Sequence, residues 1–245
     1  MNVSLYQAAS ALQANAKWQE VISENLASSS VPGFKKQQLS FSEVQAGLMG
    51  SNTTQHFSLP KATSSTSFQQ GELKFTGSNT DVALEGPGFF EVQLPNGSAA
   101  YTRDGEFQVN SEGMLVNKQG SVVIGQSGPI QMDRNNAAPI SISATGDVSQ
   151  GAEIRGTLKV INVNDPQLLT SIGGGSFLAN NPNIQVRPVT DASLRPGFLE
   201  GANTTPVVEM ANLISVMRSF EANQRIIQMQ DDRMSRAISE LGNPT

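Results

Sequence analysis

Four acidic residues, Asp81, Glu85, Asp104 and Glu106, lie close enough along the chain to suggest acid–base chemistry. Glycoside hydrolysis needs two carboxyl groups flanking one bond, one giving a proton while the other attacks or activates water. The local pattern speaks against that role, because Asp104 stands in an Asp-Gly turn dipeptide and Glu106 alternates outward from Phe107 on an expected strand. The single histidine, His56, sits in a Ser/Thr-rich stretch with no orienting partner nearby and reads as solvated. A phosphate-cradling loop is the other chemistry to weigh, since residues 81 to 97 read DVALEGPGFFEVQLPNG. A dinucleotide loop requires Gly-x-Gly-x-x-Gly between a strand and a helix. Here Glu91 occupies the third glycine position, strand-like FFEVQL follows, and Asn96-Gly97 suits a tight hairpin, so the glycines read as turns. Asn180-Asn181-Pro182-Asn183 and Gly173-Gly174-Gly175 read as loop, not as a calcium or phosphate site. The absence of cysteine excludes disulfides, thiolate catalysis and zinc–cysteine sites. No catalytic residue, cofactor or metal site is expected.

The elements that carry these residues are better defined than any chemistry. With 245 residues, 38% apolar, 6% aromatic and 15% charged, the chain reads as ordered modules joined by polar segments. A net charge of -5, with Lys35-Lys36 the longest basic cluster, argues against nucleic acid as partner. The N-terminal stretch lacks the pattern of a cleavable secretory signal, and no run approaches the roughly 20 apolar residues that span a bilayer. Departure from the cytoplasm would need another export route.

From Val3 to Ala27 there is neither proline nor glycine, and Leu5, Ala8, Leu12, Asn15, Gln19, Ile22 and Leu26 recur at alternating spacings of three and four. That is the seam of a helix. The same spacing runs through Met210, Leu213, Met217, Phe220, Gln224, Ile227, Asp231, Met234, Ile238 and Leu241, with Pro206 in a first turn and Thr205 as its cap. A helix over 206 to 241 would be roughly 50 Å long. Surface pairs such as Asp232 with Arg236 contribute about 0.2–0.5 kcal/mol each, so the seam must be buried against something. An intramolecular helical hairpin is the plainest partner. Between the ends, residues 51 to 68 read as an extended connector, and short strand-like runs from Phe75 to Met132 alternate with turn dipeptides. Further β-like stretches follow in ISISAT, GTLKVINV and IQVRPV. The expected class is α+β: helices at both ends and a hairpin-rich, antiparallel all-β middle. The expected segments are an N-terminal helix (1–30), an extended connector (31–74), a β-rich domain (75–202) and a C-terminal helix (203–245). Gly33 and Gly71 are candidate bends between the helical and β parts.

Several motifs, in order along the chain, resemble the flagellar rod and hook axial protein family. Asn25-Leu26-Ala27, followed by Gly33-Phe34-Lys35, is similar to its N-terminal signature. Asp81 to Gly86, Gly88-Phe89-Phe90, Tyr101-Thr102-Arg103 and Gly105 resemble its central β signature, and Phe220-Glu221-Ala222-Asn223 its closing helix. Ser28 and Val31-Pro32 depart from the usual N-terminal pattern, and Gly201-Ala202-Asn203 replaces a more usual Ser-Asn step. The length and the phrase Gly125-Gln126-Ser127-Gly128-Pro129-Ile130 resemble the proximal more than the distal rod subunit.

The resemblance implies that the terminal helices pair in an inner coiled-coil domain and that the β domain lies outside. It implies a torque-transmitting tubular polymer around an export channel, located in the basal-body rod across the periplasm. Its partners would be other copies, neighbouring rod and hook proteins and the flagellar type III export apparatus, with no small-molecule substrate and no membrane embedding. The interface would use Leu5, Leu12, Ile22, Leu26, Met210, Leu213, Met217, Phe220, Ile227, Met234, Ile238 and Leu241. The competing expectation is a secreted β-rich module that binds carbohydrate or protein and oligomerises through its helical ends; its aromatic platforms are scarce, with one tryptophan and two tyrosines.

Overall fold

A computed structural model describes residues 3–47, 56–189 and 192–241. The chain is α+β and divides into two units, one built from the terminal helices and a hairpin, the other from Ser28–Lys36 and Ser67–Thr204.

In the helical unit, α1 (Val3–Ala27) packs against α2 (Pro206–Leu241) and against a hairpin of β1 (Gln37–Gly47) and β2 (His56–Thr66). Helix α1 runs uninterrupted because its 25 residues contain no helix breaker. The turn that follows contains Pro32 and Gly33. Helix α2 opens on Pro206, whose missing N–H is no loss in a first turn, and the Thr205 carbonyl accepts from the Val208 and Glu209 N–H groups. The stretch expected as an extended connector is more structured than that: β1 and β2 pair antiparallel from Gln37↔Thr66 to Gly47↔His56. Its Ser/Thr composition carries no apolar alternation, and the ladder is held by backbone pairing, with Trp18 of α1 meeting Phe41 of β1 edge-on at 5.7 Å.

In the β unit the strands are short, as the spacing of turn dipeptides requires. They run β3 (Leu73–Phe75), β4 (Val82–Glu85), β5 (Phe89–Gln93), β6 (Ala99–Thr102), β7 (Phe107–Val109), β8 (Leu115–Asn117), β9 (Val122–Gly125) and β10 (Gly128–Pro129). Then come β11 (Ile140–Ile142), β12 (Asp147–Gln150), β13 (Glu153–Thr157), β14 (Val160–Val163), β15 (Thr170–Gly173) and β16 (Ser176–Leu178). Last are β17 (Val186–Pro188), β18 (Ser193–Pro196) and β19 (Phe198–Glu200). The main sheet has the path β15-β16-β6-β5-β9-β8-β7, and β5 also pairs β14. Strands β11 to β13 form a meander, β18 pairs β4, and β19 pairs β3. Val82, Leu84, Phe90, Val92, Leu115 and Val123 lie in one buried cluster, with Phe90 edge-on to Phe107. A second gathers Phe89, Tyr101, Ile161 and Phe177. Phe89 and Phe90 are consecutive, so the pleat sends one ring to each cluster.

Candidate assembly face and buried ionic centre

Helix α2 carries two adjacent apolar stripes, and only one is covered. Glu209, Leu213, Val216, Phe220, Asn223, Ile227 and Gln230 keep heptad spacing and are buried or half-buried, with Val216 at 0% exposure. On α1 the buried positions are Ala8, Ala14, Val21, Ile22 and Asn25, with Leu12 and Leu26 half-buried. The register differs from the sequence-based stripe. Leu213, Phe220 and Ile227 belong to both, but Met210 (52% exposed), Met217, Gln224 and Asp231 flank the covered seam instead of forming it. Spacing of three and four permits either neighbouring register when residues on both sides of Leu213 and Phe220 are apolar, and packing selects the side of Val216. Outside the seam, Val207, Met210, Ile214 and Met217 line an open stripe that ends at Glu221. Past Gln230 the covered seam reaches Met234, which is 49% exposed, and Ile238 (68% exposed) falls in line with the open stripe; α2, with 36 residues, is longer than the 25-residue α1. Leu5 and Leu241 belong to the helices by their backbones; their side chains lie outside the described residues.

The N-terminal signature ends α1 and then enters the β unit. Asn25, buried, donates from Nδ2 to the Gln37 carbonyl and accepts the Gln37 N–H, both at 2.8 Å, so its amide imitates a strand partner for the start of β1. Ala27 is exposed, whereas Phe34 and Lys35 are buried in the β unit. The Lys35 ammonium pairs with the Glu200 carboxylate and donates to the Gln69 carbonyl at 2.8 Å. Arg103 meets the same carboxylate at 3.3 Å, donates to the Gly86 carbonyl at 2.7 Å and lies 5.3 Å from the centre of the Phe89 ring. Glu200 also accepts the Gly71 N–H at 2.8 Å. Burial pulls the Lys35 ammonium below its ordinary range against the opposing pull of Glu200, and burial likewise lowers Arg103. Residues distant in sequence are thus joined around one carboxylate whose charge is fully partnered.

The two glycines singled out as bends sit where side chains have no room. Gly33 has φ of 68°, and a Cβ there would stand 2.3 Å from the Arg103 carbonyl carbon; at Gly71 it would stand 2.0 Å from the Gly201 oxygen. Beside them, Asn203 accepts the Lys36 N–H at 2.7 Å and donates to the Ser67 and Gln69 carbonyls at 2.8 and 3.0 Å. The chain passes between the units four times, and residues 36, 67 and 203 adjoin three of those passages. One amide therefore ties the β-unit ends of three passages together. Glu200 and Asn203 were not legible as functional residues, although Lys35 and Arg103, two cations in the resembling motifs, implied a missing anion.

The residues offered for acid–base chemistry have separate structural duties. Asp81 accepts the Thr76 hydroxyl at 2.7 Å, and Arg195 binds both oxygens of Glu85, which holds that carboxyl below its usual range. Glu106 pairs with Lys118. Asp104 is fully buried and accepts the Glu106 N–H through Oδ1, while Oδ2 has no hydrogen-bond partner; burial raises its pKa to about 6. Gly86 and Gly88 turn the chain from β4 to β5, and Gly105 lies two residues before β7. Thr102 donates to the Gly175 carbonyl at 3.0 Å and accepts the Asp104 N–H, fixing the turn that carries Arg103. His56 opens β2, and its side chain lies outside the described residues. Glu221 and Ala222 are exposed on α2, beside half-buried Asn223. Among the described residues no group of His, Asp or Glu is placed to hold a metal ion, and no helix is long and apolar enough to cross a membrane.

A helix that leaves a continuous apolar stripe in the open is the architecture of a protein that works by association. Residues 5–35 match the family model of flagella basal body rod proteins, 83–150 that of the flagellar hook protein FlgE/F/G D1 domain, and 195–240 that of the flagellar basal body rod FlgEFG protein C-terminal region. The chain is 32% identical to the flagellar basal-body rod protein FlgF of Caulobacter vibrioides, with 91% of each covered. It is 32% identical to FlgG of Buchnera aphidicola subsp. Schizaphis graminum, covering 97% of this chain and 99% of that one. With FlgF of Escherichia coli K12 it shares 30% identity over 97% of each. The chain belongs to the flagellar basal-body rod protein family, whose members are structural proteins of the basal body and not enzymes. That membership disfavours the secreted binding module.

Proposed function

We propose that this chain is a proximal rod subunit that polymerises through its terminal helices into the tubular axis of the flagellum. The observation that carries the reading is the open stripe Val207, Met210, Ile214 and Met217 on α2, together with half-exposed Met234 and exposed Ile238 nearer its C-terminal end. Burying one such side chain contributes roughly 1.5–3 kcal/mol, so several of them at one interface can drive strong association after ordering entropy is subtracted. In this reading α1 and α2 form the inner coiled coil, with Leu5, Leu12, Ile22, Leu26, Leu213, Phe220, Ile227 and Leu241 joining the exposed residues at or beside the interface. The β unit stands outside. Heterologous contacts whose rotation does not close generate an open helical polymer, here a tube around a channel. Its partners are further copies and neighbouring rod and hook proteins, and it reaches the periplasm through the flagellar type III apparatus. The glycines and the Glu200 and Asn203 contacts support torque transmission, because they fix the passages by which force leaves the β unit.

Ile214→Asp tests this. The expected outcome is a chain whose β unit keeps its amide protection while incorporation into rods and motility are lost. Normal motility in that variant would overturn the reading.

A further inference from the structure

Half-exposed thioethers are concentrated on α2. The chain has eight methionines and no cysteine, and four of the methionines, Met210, Met217, Met229 and Met234, lie on this helix at 47–56% exposure. By contrast Met132 is buried in the β unit. Exposed methionine sulfur is readily oxidised, and its sulfoxide is polar. The four are not equivalent. Met210 and Met217 share the open stripe with Val207 and Ile214, and Met234, 49% exposed, continues the seam line past Gln230. Met229, the most exposed of them at 56%, has Arg225, Ile226, Asp232 and Arg233 as its neighbours three and four residues away, which places it off both stripes.

We infer that Met210, Met217 and Met234 form an oxidation site through which peroxide blocks assembly of the free subunit. This rests on the reading of α2 as the assembly helix. In the step, the peroxide O–O bond breaks and one oxygen atom passes to Sδ, forming an S–O bond. The thioether is oxidised to the sulfoxide, and hydrogen peroxide is reduced to water. A sulfoxide placed in an apolar contact brings a strong acceptor with no donor to meet it, so the contact is lost. Once the subunit is incorporated, the same sulfurs are covered and oxidation slows.

The test treats the purified full-length chain with hydrogen peroxide, removes the oxidant and follows self-association by light scattering, with oxidised positions mapped by peptide mass spectrometry. Oxidised wild type is expected to lose about tenfold or more in polymer yield. Methionine sulfoxide reductases should restore it. Whatever its level of association before treatment, the triple variant Met210→Leu, Met217→Leu, Met234→Leu should lose no further association on exposure to peroxide, whereas Met229→Leu should lose as large a fraction as wild type. Undiminished association of the oxidised chain would overturn the inference, as would protection by Met229→Leu alone, and both would leave the assembly reading standing. Failure of the untreated chain to associate would overturn the assembly reading itself.

Discussion

The two units solve the problem of apolar surface differently. In the β unit the inward residues of short strands meet across the core, and the buried Glu200 carboxylate is met by both Lys35 and Arg103. In the helical unit α2 covers one stripe and leaves Val207, Met210, Ile214 and Met217 in the open. The difference lies in geometry. A sheet brings many strands to one face, but a helix paired with one helix and a narrow hairpin hides only the sector that faces them. The β unit gathers its inward apolar side chains into two buried clusters and leaves only scattered ones such as Phe75 and Ile154 in water, whereas the helical unit leaves a whole stripe of α2 open.

The comparison is broken most severely from the β side. Glu200→Ala leaves two buried cations without their anion and should cost about 3–5 kcal/mol, read as a lower urea midpoint. Replacing Lys35, Arg103 and Glu200 together by apolar residues of similar volume should recover most of that loss, because no unpaired charge remains. Asp104 gives the next largest effect. Its folded pKa of about 6 lies above the ordinary 3.8, so the fold favours the protonated form. The stabilisation is whole below the ordinary value and is lost as pH rises through about 6, an expected difference of about 3 kcal/mol. Urea titrations at stepped pH should show that slope in wild type and its absence in Asp104→Asn.

The β unit was the more legible of the two. Asn96-Gly97 between FFEVQL and AAYTR announced the β5–β6 hairpin because the turn demands φ values that few other residues adopt, and Gly97 has φ of 82°. Both helices were legible from their 3.6-residue period. The β1–β2 hairpin was not, since its Ser/Thr-rich strands carry no sustained period-two apolar pattern. The register of the α2 seam was also hidden, because Val216 and Met217 are both apolar and one residue apart. Glu200 could not be found locally: its meaning depends on Lys35 and Arg103, 165 and 97 positions away.

That ambiguity of register supplies the finest test of the comparison. Val216 and Ile214 are two residues apart on one helix, of similar chemistry, at 0% and 55% exposure. Val216→Ala removes two methyl groups from a closed contact, and the cavity adds to the lost transfer free energy, so the helical unit should weaken by about 2 kcal/mol. Ile214→Ala removes more hydrocarbon, but from a side chain already largely in water, and alanine is the better helix former. Its effect on the free chain should stay within about 0.5 kcal/mol. Hydrogen exchange along α2 distinguishes the two variants residue by residue. A large loss at Ile214 in the free chain would mean that the open stripe is covered within the monomer, and the contrast between a closed unit and an open one would fail.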